Sequence, residues 1–349
     1  MSQRDAGGAR PVRPGDLPRE RVLAALDDAY GLRVGDLRPV AGGWDGDAIV
    51  WVADDADGGY WSVKATVRDV RFGLEVAARL ADEGAEGVVP PRRTRDGRLW
   101  HDLDGVALVV SAWVAGADAV TVPVDVVDFA MLGRTLRRVH DLEPPRTVRA
   151  RRRGIRRVDR SPQALLDEVD AQLTAAGDDT RLAPLRQRWP DALPRLRRLA
   201  RAERALKRTR QPAGRVTLHG DPHLGNVVVD LEGRPWLIDF DEAAVAPREV
   251  DLMLVELGVL FSMPLDESHR ERFRAGYGLD APIDEERIAR FGCVRAIEDV
   301  AAVVRHALAD TAPVGVDRAA ALDGMLGPHG LVTLAERALD RLGVDGSRG

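Results

Sequence analysis

His219-Gly220-Asp221-Pro222-His223-Leu224-Gly225-Asn226, followed by Val227-Val228-Val229, Glu232-Gly233, Trp236-Leu237-Ile238 and Asp239-Phe240-Asp241, is the stretch that decides how this chain is read. The three valines predict a strand, Glu232-Gly233 a turn, and Trp236 to Ile238 the partner strand. A hairpin of that size brings Asn226 and Asp239 to the same open end. There an amide oxygen and a carboxylate can share a hard cation such as Mg²⁺, which prefers oxygen ligands and keeps part of its water shell. Asp221, five residues before Asn226, supplies a carboxylate to accept the proton of an attacking hydroxyl. These are the polar groups that phosphoryl transfer from a nucleoside triphosphate needs. Asn and Asp at strand ends are also common turn residues, and H-G-D alone carries little. His219-x-Asp221-x-His223 has the look of a transition-metal cluster. His101, His140, His269, His306 and His329 are scattered with no paired spacing, which argues against zinc or iron.

The pattern resembles the aminoglycoside phosphotransferase and choline kinase branch of the protein-kinase-like fold. That branch carries an H-G-D-x-x-x-x-N catalytic loop and an I-D-[FW]-[DE] metal motif, matched here at 219–226 and 238–241. Ala246-Pro247-Arg248-Glu249-Val250-Asp251-Leu252-Met253, Gly276-Tyr277-Gly278 and Ile297-Glu298-Asp299-Val300-Ala301 resemble the spectinomycin phosphotransferases within it. The likeness covers nearly all of the chain after residue 40. It implies an α+β, two-lobe architecture with a small N-terminal β-lobe and a larger, mainly helical C-terminal lobe. The expected division is a disordered tail at 1–20, an N-lobe at 21–112, a hinge at 113–117 and a C-lobe at 118–349. The implied donor is ATP or GTP with Mg²⁺. Asp221 is the expected base or hydroxyl-orienting group, Asn226 and Asp239 the metal ligands, and His219 and Asp251 the supports of the loop.

Composition narrows the class. The chain has 349 residues, a net charge of −5 and 45% hydrophobic residues, enough for two lobes of an ordinary enzyme. One cysteine, Cys293, excludes an internal disulfide framework and fits a reducing compartment; its helical apolar surroundings predict a packed thiol. The first twenty residues lack an apolar signal-type core, and no run approaches the roughly eighteen apolar residues a membrane span needs. A cytoplasmic protein, monomeric or weakly dimeric, is expected. Residues 146–160 hold eight arginines in fifteen positions. The stretch has no aromatic residue for base stacking and the whole chain is acidic, so a solvated linker or helix face is expected and nucleic acid is not.

Lys64 and Lys207 are the only lysines among 51 basic residues. A bias toward arginine makes a retained lysine informative. Lys64 lies in Tyr60-Trp61-Ser62-Val63-Lys64-Ala65-Thr66, an alternating strand. The kinase resemblance implies that it holds the nucleotide phosphates, where a compact ammonium suits better than a planar guanidinium. Upstream, residues 37–40 and 49–53 predict strands flanking Ala41-Gly42-Gly43-Trp44-Asp45-Gly46, whose Gly42 and Gly43 would let backbone amides approach phosphate. Residues 70–83 predict a helix with Phe72, Val76 and Leu80 on one face and Glu75 as the expected ion-pair partner of Lys64; Glu83 is its rival. The apolar run Val106 to Trp113 predicts a buried strand leading into a hinge, with Ser111 and Trp113 beside the nucleotide. Phe129, Leu132, Leu136 and Val139 then form a helical stripe ending near Pro144-Pro145, and residues 161–210 read as amphipathic helices shaping one wall of an acceptor cleft.

Ala246-Pro247-Arg248-Glu249 follows Asp239 by only seven residues. That leaves no room for the activation segment on which a protein kinase seats its peptide, so the acceptor is expected to be a small molecule. Asp241, Glu242, Glu298 and Asp299 are candidate acceptor contacts, and their charge favours a cationic aminocyclitol or aminoglycoside antibiotic, with resistance as the outcome. Choline, homoserine, a sugar or a peptide antibiotic would suit the same chemistry. A nucleotide-binding pseudokinase is the reading from a different class.

Overall fold

Period-two burial builds the N-terminal part. The computed structural model describes residues 13–40, 47–146, 148, 160–208, 214–260, 263–278, 282–309 and 317–344. Helix α1 (Arg19–Tyr30) is followed by β1 (Val34–Pro39), β2 (Ala48–Asp55) and β3 (Tyr60–Thr66), then α2 (Arg71–Asp82), β4 (His101–Leu103) and β5 (Val106–Ala112). The strands form one antiparallel sheet in the order β1-β2-β3-β5-β4. Val63 and Ala65 of β3 and Val106, Leu108 and Val110 of β5 alternate onto one face, where Val22, Leu26 and Tyr30 of α1 cover them. The Tyr30 hydroxyl, buried with them, donates to the Leu108 carbonyl at 2.7 Å. Lys64 stands on the opposite face, between Val50 and Val109 in the neighbouring strands.

Two expectations change here. A disordered tail is expected at 1–20, and its described residues, 13–20, are folded. A short helical turn at Pro14–Asp16 places Leu17, only 8% exposed, in the sheet's core, and α1 begins at Arg19. The boundary at 112 also fails to separate two cores. The stripe Phe72, Val76 and Leu80 forms as predicted, yet it packs into the larger lobe beside Phe129, Leu136 and Phe240. Residues 1–12 and the Gly42-Gly43-Trp44 loop lie outside the described residues, as does the arginine-rich stretch apart from Arg146, Val148 and Arg160.

After Trp113 to Ala115 the chain enters β6 (Gly116–Asp118), then α3 (Phe129–Asp141), α4 (Pro162–Ala175), α5 (Ala183–Arg208), β7 (Val216–Leu218), β8 (Val227–Asp230), β9 (Pro235–Leu237) and β10 (Ala244–Ala246). Helices α6 (Glu249–Leu257), α7 (Glu267–Tyr277), α8 (Glu285–Ala309), α9 (Arg318–Leu326) and α10 (Leu331–Arg341) complete the lobe. The hairpin read from the sequence forms, with Val227 opposite Leu237 and Val228 opposite Trp236. Strand β6 adds to its other edge, so the chain leaving the N-terminal sheet pairs at once with the hairpin. Asp128 caps α3 through the Met131 amide at 2.9 Å, and the helix stops ahead of Pro144-Pro145. Helix α8 is the spine of the lobe, packed by α4, α5, α6, α9 and α10. Its Cys293 is fully enclosed, and burial pushes the thiol far above its ordinary range, as a packed thiol requires. Among the described residues no helix is long and apolar enough to cross a membrane.

Candidate active site

Strand β7, paired to β10, delivers the loop 219–226. The loop is fixed by one buried carboxylate. Asp251, at the start of α6, accepts the amides of His219 at 2.8 Å and Gly220 at 2.9 Å. It also bonds His140 Nε2 at 3.1 Å, and His140 Nδ1 meets the Tyr277 hydroxyl at 2.7 Å, so α3 and α7 brace the same acid. His219 spans the loop. Its Nε2 donates to the Ile238 carbonyl at 2.9 Å and its Nδ1 accepts the Asp221 amide at 3.2 Å. That arrangement needs a neutral ring, and burial depresses the His219 pKa, outweighing Asp251 nearby.

The unfolded chain takes up this proton near pH 6.5, and the folded chain resists it. The contribution of His219 to stability is therefore complete above that pH and is lost as pH falls below it, by at most about 1.4 kcal/mol per pH unit. Urea unfolding at about pH 7.5 and about pH 5.5 should cost wild type more stability than His219→Gln, whose amide can donate and accept at the same two positions. Equal losses would mean that His219 is not a neutral brace.

The turn 239–242 lies against this loop. Gly220 (φ +91°) has no room for a side chain, because a Cβ there would overlap the Glu242 carbonyl; a Cβ on Gly73 of α2 would overlap the Phe240 carbonyl. The turn 239–242 is thus gripped between an N-terminal helix and the loop. Asp239 itself sits in the left-handed region (φ +60°), which Asp tolerates better than most residues. Lys64 reaches across from β3 and donates to Asp239 Oδ1 at 3.0 Å and Asp241 Oδ2 at 2.7 Å. Burial alone would lower the Lys64 pKa, but the two carboxylates raise it and keep the ammonium charged. Enclosure tends to raise Asp239, and Lys64 outweighs it and holds the pKa low. Asp241 is pushed up to about 6, by burial first and then by the charge of Asp239. Two carboxylates sharing one ammonium leave a negative charge in excess, which suits a divalent cation. Asn226 donates its Nδ2 to the Asp221 carbonyl at 2.9 Å, and this leaves its oxygen as the branch available to such a cation. Asn226, Asp239 and Asp241 therefore fit a magnesium ion, which is bound by few protein oxygens together with nucleotide phosphates.

Several expected partners are different. Glu75 pairs with Arg79 in its own helix at 3.2 Å, and Lys64 takes Asp239 and Asp241 instead. Asp241, read as an acceptor contact, consequently stands together with Lys64 and Asp239. Glu242 faces Arg68 at 3.6 Å, and Asp299 accepts Arg295 Nε at 2.8 Å. Glu298 is buried in α8. Further along, Glu256 holds Arg274 at 2.9 Å. The acidic cluster read as an attraction for a cation is thus largely matched by arginines. Ser111 lies in β5 opposite Ser62, and the exposed Trp113 gives its amide to the Tyr60 carbonyl at 3.0 Å, so that amide serves the sheet. Gly42 and Gly43 lie outside the described residues.

Arg295 is the residue that sequence reading missed. It comes from α8, and its Nη1 lies 2.5 Å from Asp221 Oδ1. One signal for it was present: Arg295 and Asp299 are four apart on a helix, the spacing at which opposite charges meet.

Lys64→Arg should leave stability within about ±0.5 kcal/mol if position 64 needs only a cation. The Nζ bridges two carboxylates from only 18% exposure, and a guanidinium is too wide for that position. The expected result is a lower kcat/KM for nucleotide, each tenfold loss corresponding to about 1.4 kcal/mol of transition-state stabilisation. Kinetics with varied ATP and GTP beside a melting curve would check this, and wild-type kinetics in the folded variant would contradict it.

A model of the phosphotransferase enzyme family matches residues 36–291. No curated protein matches the chain. Among solved structures, a spectinomycin phosphotransferase in complex with ADP and spectinomycin superposes with a TM-score of 0.79 at 21% identity, covering 92% of this chain and 98% of that one. An aminoglycoside phosphotransferase from Alicyclobacillus acidocaldarius gives 0.58 at 17% identity, covering 97% of each chain. A choline kinase from Streptococcus pneumoniae gives 0.54 at 16%, covering 93% of this chain and 98% of that one. At these identities the structures establish a common fold. The family model spans most of the sequence, including the loop, the lysine and the metal turn gathered at one cleft, and so this chain belongs to the phosphotransferase enzyme family, as an ATP-dependent small-molecule O-phosphotransferase.

Proposed function

We propose that the enzyme transfers the γ-phosphate of ATP or GTP to a hydroxyl of an aminocyclitol- or aminoglycoside-type antibiotic, and so confers resistance to it. The observation that carries this reading is the placing of Asp221 on a braced loop beside Asn226, with Lys64 across the cleft on Asp239 and Asp241. Lys64 would hold nucleotide phosphates, and Asn226 and Asp239 would hold Mg²⁺, with Asp241 beside them. Bound there, the metal would neutralise charge on the phosphates. Asp221 would orient the acceptor hydroxyl and take its proton as the new O–P bond forms and the bond from the γ-phosphorus to the bridging oxygen breaks, releasing ADP or GDP. A loose transition state needs little proton removal early, so orientation is its larger task.

The choice of a small acceptor is supported by the short path from the metal turn. Strand β10 ends at Ala246 and α6 begins at Glu249, which leaves no platform for a peptide. The antibiotic class is supported by the spectinomycin-bound neighbour and by the likeness at 246–253 and 297–301. The test is incubation with Mg²⁺ and ATP or GTP against spectinomycin, several aminoglycosides, a peptide antibiotic, choline and homoserine. Mass spectrometry should find one phosphoryl group added to an aminocyclitol or aminoglycoside. Phosphorylation of choline or homoserine alone would replace the acceptor class while keeping the chemistry.

A further inference from the structure

We infer that Arg295 is a positioning residue for the reaction, held in place by Asp299 and itself fixing the carboxylate of Asp221. The inference rests on the role given above to Asp221. Arg295 and Asp299 are four residues apart on α8, one turn along the same face. Asp299 takes Arg295 Nε with both oxygens, at 2.8 and 2.9 Å, and this sets the plane of the guanidinium. The same guanidinium then presents Nη1 to Asp221 Oδ1 at 2.5 Å. The side chains of Arg295 and Asp221 are 13% and 11% exposed, so the pair is shielded from bulk water and its geometry is not averaged by solvent. Arg295 stays protonated there: burial opposes its charge, and Asp221 and Asp299 more than restore it.

The backbone of the loop is already fixed by Asp251 and His219. Beyond the backbone, the rotation of the Asp221 side chain is set by its own contacts, among them Arg295 on Oδ1 and His223, whose Nε2 lies 3.4 Å from Oδ2. Of these, the planar donor locked on Oδ1 makes the shorter and more directed contact. Arginine suits the task better than lysine, since its fork makes two directed contacts at once, one to each acid. The order of dependence is therefore Asp299 to Arg295 to Asp221. The last helix before the C-terminal segment of the lobe thereby sets the side-chain geometry of the loop. A misplacement of about 1 Å at a reacting group costs on the order of 10²-fold in rate.

The experiment compares wild type, Arg295→Met, Arg295→Lys, Arg295→Ala and Asp299→Asn. Two turnover readouts are used with Mg²⁺ and ATP: hydrolysis, with water as acceptor, and transfer to spectinomycin. Binding of ADP and a melting curve are measured beside them. Arg295→Met should lower kcat on the order of 10²-fold, with KM for ATP and ADP affinity changed less than about threefold. Arg295→Lys should recover part of the loss, and Asp299→Asn should lose less than Arg295→Met. Added guanidinium chloride at low concentration should restore Arg295→Ala saturably, a result that a purely structural role would not give. If Arg295→Met does not fold, Arg295→Lys and Asp299→Asn decide, since both keep a polar group in place. Unchanged kcat in a folded variant overturns the inference, and so does a loss that tracks ADP affinity or melting temperature. If wild type hydrolyses ATP but does not phosphorylate spectinomycin, this acceptor is wrong, and the hydrolysis readout still decides for Arg295. A wild type with neither activity overturns both.

Discussion

Asp221→Asn should lower kcat by roughly 10²–10⁴-fold, with the lower end expected for a loose phosphoryl-transfer transition state. Nucleotide affinity should change little, because Lys64 and Asp239 lie on other elements and Asn226 bonds the Asp221 backbone carbonyl, which the substitution leaves in place. The substitution preserves shape but removes the charge that faces Arg295. Some stability should therefore go with it, since a shielded guanidinium loses one of the two acids it meets among the described residues. Transfer kinetics, ADP titration and a melting curve separate these effects. Unchanged kcat would remove Asp221 from the reaction, whereas a loss of nucleotide affinity matching the loss of rate would make it a binding residue.

Asp239→Ala should be as damaging and should differ in how it responds to metal. Substitutions of outer partners of a metal site typically cost 10–100-fold, so loss of a direct ligand should cost more than about 100-fold at low magnesium. Raising magnesium should recover part of the activity, because Asn226 and Asp241 remain. Asn226→Ala should follow the same trend more weakly, as a neutral ligand is lost. The measurement is turnover against Mg²⁺ concentration for the three proteins. Parallel curves would mean that the hairpin end does not hold the metal.

The parts legible in the sequence were those with local causes. The hairpin follows from a run of valines, a Glu-Gly turn and a short partner strand, and it places Asn226 and Asp239 without help from the rest of the chain. Lys64 was visible because arginine fills almost every other basic position. The same bias hid Arg295, one guanidinium among many. Partner choice was not legible. Glu75 and Asp241 are both carboxylates within plausible reach of a lysine on β3, and what decides between them is the close contact of Gly73 with the Phe240 carbonyl. That contact holds the turn 239–242 against α2. Of the acids read as acceptor contacts, Glu242 and Asp299 meet arginines, and Arg68, the partner of Glu242, lies on a segment far away in sequence that only the fold brings near. Helix α1 was missed although Val22, Leu26 and Tyr30 recur at helical spacing; what the sequence does not show is that the sheet which covers that face comes later in the chain.

The Lys64 bridge has a thermodynamic consequence for how ligands arrive. One ammonium from the opposite lobe bridges two acids. Phosphate arriving alone would draw the ammonium away and leave Asp239 and Asp241 facing further negative charge. A divalent ion arriving alone would compete with the ammonium for the same oxygens. Arriving together they would exchange partners: phosphates for carboxylates at the lysine, cation for ammonium at the acids. Metal and nucleotide should therefore bind with positive linkage, each strengthening the other by the same factor. The coupling is reciprocal and belongs to the pair, so nucleotide affinity measured without magnesium would understate what the site is built to hold.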